Sequence, residues 1–583
     1  MKRHPRTHSP YRPLLALGIL TLALGCGGGS ANGGETDGAS GTDGTDSTPS
    51  GSASMSATDG DTDTDTDGDT DDPTPEGFVP APGGMRKLTG REYRASVGLI
   101  LGDAAEDAAD PPTDIAQGGF DAVGASILAL PADVIEGYER SATAVADAVV
   151  ADPGHLQALV PCVEANANPA CYREVATTIG RFAYRRTLDT DEIEALAAIG
   201  AAGQQWSDDN AFMTGLRYEL MAILQAPSFL YIQEVGEMDP SSGFRKLTGT
   251  ELVTRVSFFL TGHTPTLELL DAGEAGDYDA PDALRGLAED MVASPEARVA
   301  VEAFFAEAYR LRDLSLVAKN AELFPTFSSD LGEMMKDETL LLLYDIVWDR
   351  DGDFREFFNA RHTFVNDALA EHYGIAPPGT GELFTQVDWP ADQRRAGYTS
   401  QGSFLTWQSG ARRNSPTKRG LYIQERILCN EIPPPDPNAN IILPESDDLT
   451  LKELLEMHLD QDGCRSCHAL TDPFGFAFER YDAIGALRLM DNGKPVETDG
   501  EIVGVGEWQD AQQLGDILAE SPVTGDCLIE NMVRGTLGQT PTDDTHAGIE
   551  DLGLIFADNG YSVQSLLVDM VAHPLFRLVD EPK

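Results

Sequence analysis

The chain has 583 residues, enough for about three or four domain-sized units, and carries 96 acidic against 41 basic side chains, a net charge of −55. That field argues against a grip on a phosphate backbone, which needs a basic surface, so no nucleic-acid partner is expected. Seven cysteines are too few for a disulfide-dense scaffold, and no apolar run is long enough to read as a spanning helix.

Lys2, Arg3, Arg6 and Arg12 precede a short apolar run, Leu14 to Leu24, of signal-peptide length. It ends Leu22-Ala23-Leu24-Gly25-Cys26, which resembles a bacterial lipobox. Residues 1–25 are therefore expected to be a signal peptide. Cys26 is expected to carry lipid that anchors the chain to a membrane without spanning it. An ordinary secretory signal cut nearby is the alternative. Either way the chain is expected outside the cytoplasm, in the cell envelope, as a lipoprotein at the outer membrane or surface.

Gly27 to Glu76 is mostly Gly, Ser, Thr, Asp and Pro, with 13 acids and no base. Residues 26–84 are thus expected to be a disordered, self-repelling tether behind the lipid. Asp63, Asp65, Asp67 and Gly68 begin like a calcium loop, but its twelfth position is Thr74, where a bidentate Glu is required. Beyond the tether lie 83 of the 96 acids and 37 of the 41 bases, so the body alone carries −46. Such a surface favours basic or cationic partners.

The body punctuates its helices in one way. Arg86-Lys87-Leu88-Thr89-Gly90-Arg91-Glu92 recurs as Arg245-Lys246-Leu247-Thr248-Gly249-Thr250-Glu251, each with Thr three residues before Glu. That is a capping box. The same grammar stands at Leu188 to Ile193 and at Leu449 to Leu454, and Ser415-Pro416 gives a fifth start. Between starts the apolar period is helical: Phe212, Leu216, Leu220, Ile223 and Leu224 make one stripe, and Val563, Leu566, Leu567, Met570 and Val571 another. The expected fold is mainly α, several packed helical domains with a small helical module near the C-terminus. Helical modules are expected over 85–155, 156–240 and 244–430, a compact segment over 431–503 after the break at Pro433-Pro434-Pro435, and a closing helical module over 504–583.

Cys464-Arg465-Ser466-Cys467-His468 fits Cys-x-x-Cys-His, the signature of covalent c-type haem attachment. Two thiols reach the two vinyl groups on one porphyrin edge, and the next residue, His468, is placed under the iron. Three other readings compete. A redox disulfide pair lacks a surrounding βαβ pattern. A zinc site lacks a second Cys/His pair at finger spacing. A short structural disulfide remains. With Cys26, Cys464 and Cys467 set aside, Cys162, Cys171, Cys429 and Cys527 are an even set with three connectivities. Cys162–Cys171 and Cys429–Cys527 are the preferred pairs.

From Arg86 to about Phe576 the chain resembles a family built from tandem planctomycete-surface-domain modules and a planctomycete-type cytochrome c module. The residues that carry this are Arg86 to Tyr93 with Leu101-Gly102-Asp103, Phe182 to Leu188 with Pro227 to Tyr231, and Phe364 to Ala370 with Tyr373-Gly374. They continue with Ser415-Pro416 and Arg419-Gly420, then His458, Cys464 to His468, Asp472 to Phe476 and Phe478 to Asp482. The resemblance implies an exported protein with a haem c module at 431–503 and otherwise unassigned helical domains, and hands over no substrate. Two departures stand out: Thr471 where the family often has Met, and Gly535 and Gln539 where its closing module tends to carry Tyr and Arg.

With haem c as cofactor, His468 is the proximal iron ligand and the sixth position decides the chemistry. His458 reaches the distal face only if the helix from Thr450 ends before it; otherwise it packs on an apolar face. Met490 is the plainer distal candidate. Asp472-Pro473-Phe474-Gly475-Phe476 reads as a tight turn with aromatic packing, and Arg412, Arg413, Lys418 and Arg419 as a solvated basic patch. The leading expectation is a surface lipoprotein whose single haem passes electrons to a redox partner protein. A haem-free surface binding or scaffold protein and a haem-dependent envelope enzyme are the alternatives.

Overall fold

Each helix start that the sequence marks is made by the hydrogen bonds the marking residues require. Thr89 and Glu92 close a reciprocal box at the head of Gly90–Leu101, as do Asp189 and Glu192 before Thr190–Gly203, and Thr248 and Glu251 before Gly249–Thr261. The Thr450 N–H donates to Glu453 at 2.7 Å and the Glu453 N–H donates to Thr450 at 3.2 Å, heading Leu451–Leu459. Ser415 caps Pro416–Tyr422, with Pro at the first position. The computed structural model describes residues 74–582 apart from 128–129, 166–167, 207–209, 434–445, 447 and 460–464, and apart from the side chains of 165, 458, 459 and 466. The expected signal peptide, Cys26, nearly all of the tether and Cys464 lie outside the described residues.

The protein is mainly α-helical, with only short antiparallel strand pairs. No described helix is long and apolar enough to cross a membrane. Both predicted stripes face inward: Phe212, Leu216, Leu220, Ile223 and Leu224 are buried in Ala211–Gln225, and Val563, Leu566, Leu567, Met570 and Val571 in Val563–Ala572.

Two large apolar cores result. Residues from Leu88 to Ile232 form one, capped by Phe258. Residues from Leu247 to Val579 form the other, which also takes Phe78 and Phe120. A strand pair closes each stretch. Gly84–Lys87 pairs antiparallel with Tyr231–Glu234, Arg86 opposite Ile232. Arg245–Lys246 pairs with Leu578–Val579 on one side and Glu237–Met238 on the other. Cys162–Cys171 and Cys429–Cys527 are disulfides, the two preferred pairs.

Candidate functional site

The motif helix, Arg465–Phe476, begins directly after Cys464 and carries Cys467 and His468 in its first turn. It lies across Pro416–Tyr422, which serves as its platform. Glycines permit the crossing. A Cβ on Gly420 would collide with the Thr471 carbonyl, and one on Gly475 with the Pro416 carbonyl, so only a residue without a side chain lets the backbones touch.

The segment read as a tight turn, Asp472 to Phe476, is instead helical to its end, with Pro473 inside the helix. Proline in a helix interior forfeits a backbone hydrogen bond and costs about 3 kcal/mol. Packing offsets it: Phe474 stacks on Trp508 with ring centroids 5.3 Å apart, and Asp472 is locked in place below.

Asp472 is fully buried and holds two groups at once. Its Oδ1 accepts from Thr417 of the platform at 2.7 Å and from Thr471 at 3.3 Å. Its Oδ2 lies 2.9 Å from His468 Nδ1. A carboxylate can only accept, so Nδ1 donates in this contact, which orients the ring and makes Nε2 the nitrogen that would ligate a metal. The bond to Asp472 raises the imidazole pKa against the opposing effect of burial. The His468 side chain keeps 21% of its surface exposed. The Cys467 sulfur sits 3.8 Å from the Pro433 carbonyl.

Leu451–Leu459 packs beside the motif helix through Leu451, Leu455 and Phe476. It runs through Leu459, past His458. Met490 is half exposed and begins a hairpin with Lys494–Pro495. That hairpin is tied to the first turn of Leu451–Leu459: Asp491 accepts the Leu451 N–H at 2.7 Å, and Lys494 donates to Glu453 at 2.7 Å. The hairpin is thus fixed to Leu451, whose side chain packs with Phe476 of the motif helix.

Beneath the site lies a polar scaffold that the sequence did not reveal. Arg419 belongs to it, not to a solvated patch: it is fully buried, whereas Arg412, Arg413 and Lys418 are exposed. It donates to the carbonyls of Phe478 and Asp482, each at 3.0 Å, and to Ser409 at 3.0 Å. Arg395 is equally buried, with its guanidinium 4.5 Å from the Tyr373 ring centre and 4.3 Å from that of Tyr481. The Cys429–Cys527 disulfide brackets the motif helix and the Met490 hairpin in sequence, with the platform helix just before it.

The residues present fit a c-type haem. Asp472 holds the imidazole by Nδ1, the arrangement that orients a ligating histidine, and a motif thiol stands one residue before it. Leu470, Met457, Leu489 and Met490 of the same module are exposed apolar side chains. Among the described residues no His/Cys/Asp/Glu cluster of three could hold a bare metal ion.

Four family descriptions match in tandem: PSD3 (DUF1587) over 86–151, PSD5 (DUF1595) over 171–234, PSD4 (DUF1592) over 247–375 and PSCyt3 (DUF1588) over 395–491, each a protein of unknown function. The last takes in platform and motif helix together. No curated protein and no solved structure matches.

Proposed function

Because the chain belongs to the family that sets planctomycete-surface-domain modules in tandem with a planctomycete-type cytochrome c module, we propose that it is a surface lipoprotein, held to a membrane by lipid on Cys26, whose cytochrome module carries one haem c and passes single electrons. The observation that carries this reading is the Asp472–His468 contact on a Cys-x-x-Cys-His helix. Haem, when bound, supplies one-electron chemistry at iron. Cys464 and Cys467 would hold its edge by thioethers and His468 Nε2 would ligate the metal. Asp472 fixes the imidazole's tautomer and orientation and makes it a stronger electron donor. Thr417 and Thr471 fix Asp472 in turn. The acidic body suits a basic redox partner.

The test is the visible spectrum, reduced minus oxidised, of the full chain purified from a host able to attach haem. A Soret band that stays with the polypeptide under denaturing conditions is expected, and its absence ends the reading. Asp472→Asn should keep the haem and raise its reduction potential, because the anionic partner that favours ferric iron is gone.

A further inference from the structure

Where the first helical module meets the continuation of the platform helix, two arginines converge with no acid between them. The meeting point is a tight loop, Gln117 to Phe120, whose ends exchange hydrogen bonds. The Gln117 N–H donates to the Phe120 carbonyl at 3.1 Å, and the Phe120 N–H to the Gln117 carbonyl at 2.9 Å. Gly118 and Gly119 turn the loop with φ of 54° and 83°, a region that favours glycine. Phe120 enters the second core. Arg426, on Ile423–Ile427, lies against this loop. Its guanidinium stands 5.0 Å from the Phe120 ring centre, and its Nη2 donates to the Gly118 carbonyl. Arg310 arrives from the end of Pro295–Ala308. A Cβ on Gly119 would run into Arg426 Nη2 and stand 3.1 Å from Arg310 Nη2, so both guanidiniums crowd the same point.

Like charges this close repel unless an anion joins them. The acids nearby are engaged elsewhere: Asp121 and Glu307 pair with Arg312, the latter at 3.3 Å, and Glu530 pairs with Arg534 at 2.8 Å. Burial raises the Glu425 pKa, with Arg426 and Arg310 pulling back, yet Glu425 forms an ion pair with neither among the described residues. Both guanidiniums reach solvent. Arg310 is exposed, and its side chain makes no hydrogen bond or ion pair among the described residues. Arg426 keeps 8% of its surface open, and its Nε and Nη1, also without partners there, stay accessible where Arg419 Nε is sealed. Burial lowers the Arg426 pKa, and Arg310 and Arg534 lower it further against Tyr422 and Glu425.

We infer that Arg310 and Arg426 together bind a phosphate group, each guanidinium presenting its fork to the oxygens. The unspent N–H donors outnumber what one carboxylate can accept. A phosphate, at about −1.5 to −2, also matches two guanidiniums where a carboxylate would leave one unpaired. Gly118 and Gly119 put no side chain in its way. The acidic body does not forbid it, because at physiological salt a charge more than about 8 Å off is largely screened. Free phosphate and a phosphomonoester share this chemistry.

The experiment is calorimetry on the full chain with inorganic phosphate, glycerol 3-phosphate and acetate. Saturable binding of phosphate or its ester is expected, at least tenfold tighter than acetate. Glycerol 3-phosphate that binds as tightly as phosphate or tighter identifies a monoester, and phosphate-only binding the free ion; both support the site. Arg310→Gln should weaken the tighter of the two at least tenfold in a protein of unchanged helicity, because that side chain holds no other group in place. Arg426→Lys, which keeps the charge and loses the fork, should weaken it too. Glu425→Gln should tighten it by removing a nearby negative charge. No saturable binding of either phosphate, acetate that binds as tightly, or wild-type affinity in Arg310→Gln overturns the assignment.

Discussion

The stretch from Gly84 to Glu234 and the stretch from Arg245 to Val579 are built on one plan. Each opens Arg-Lys-Leu-Thr-Gly in a strand that feeds a capped helix. Each closes with a one-turn helix begun by Pro, Pro227–Leu230 or Pro574–Arg577, that leads into a strand paired with the opening one. Even one joining hydrogen bond recurs, Leu88 N–H to the Leu230 carbonyl at 2.8 Å and Leu247 N–H to the Arg577 carbonyl at 3.1 Å. The arginines part company. Arg86 turns inward and grips Glu92 with two bonds of 2.8 Å, both side chains buried. Arg245 lies nearer the surface and donates to the carbonyls of Val235 and Gly236, each at 2.8 Å, while Glu251 accepts the N–H groups of the same two residues. A helix-start sequence thus fixes its own cap, and the surroundings choose the rest. The second stretch has the loop at 235–236 beside it, and the first does not. The second also holds, between its opening and closing strands, the whole module with the haem motif.

The largest test of this contrast uses the disulfides. Cys429–Cys527 closes a separation of 98 residues in the second stretch, Cys162–Cys171 one of 9 in the first. Chain-entropy arithmetic assigns them about 4.7 and about 2.6 kcal/mol. Replacing each pair by Ser, and following urea unfolding, should rank them in that order. A greater loss from the short loop breaks the ranking.

Next comes the ion pair. Arg86→Ala leaves Glu92 buried and unpaired and should cost about 3–5 kcal/mol, whereas Arg245→Ala should cost under about 1 kcal/mol. Equal losses in denaturant titrations would mean that the shared sequence, not its surroundings, sets the energetics. Glycine gives a smaller contrast. Gly420→Ala or Gly475→Ala forces the platform and motif helices apart and should cost about 1–3 kcal/mol. Gly84→Ala, where nothing lies within 4 Å of an added Cβ, should stay within about 0.5 kcal/mol.

The parts legible in the sequence are those written locally. Thr89 with Glu92, or Ser415 before Pro416, announces a helix start within four residues, and apolar spacing announces which face is buried. The motif at 464–468 is local too. The Asp472 contact left a signal that went unread: His468 and Asp472 stand four apart, one helical turn, but Asp472-Pro473 suggested that the helix had already ended. Tertiary packing overrode that preference. Arg419 and Gly420 stood out only through the family resemblance, and Thr417 and Arg395 not at all, because their partners Asp472, Thr471, Phe478 and Gly485 lie some fifty or more positions away, on elements the local sequence does not describe.

The finest contrast lies between two buried glutamates. Glu219, in the first stretch, is fully buried with neither oxygen hydrogen-bonded, and burial pushes its pKa up to about 9. Glu338, in the second, is as buried but accepts from Thr363 at 2.6 Å and from the Tyr373 hydroxyl; burial raises it to only about 7, with those bonds and Arg395 pulling back. An acid raised in the folded state favours folding fully only below its unfolded value of 4.5. As pH rises from there to the folded value, the unfolded chain gains by ionising and the protein loses about 1.4 kcal/mol per pH unit. Glu338 therefore contributes that slope up to about pH 7, and Glu219 up to about pH 9. Unfolding free energies at pH 7.5 and 8.5 separate them. Glu219→Gln should flatten this interval by about 1.4 kcal/mol, and Glu338→Gln should leave it nearly as steep as wild type. The reverse result would place the unsatisfied carboxylate in the second stretch, against the hydrogen bonds that Thr363 and Tyr373 make there.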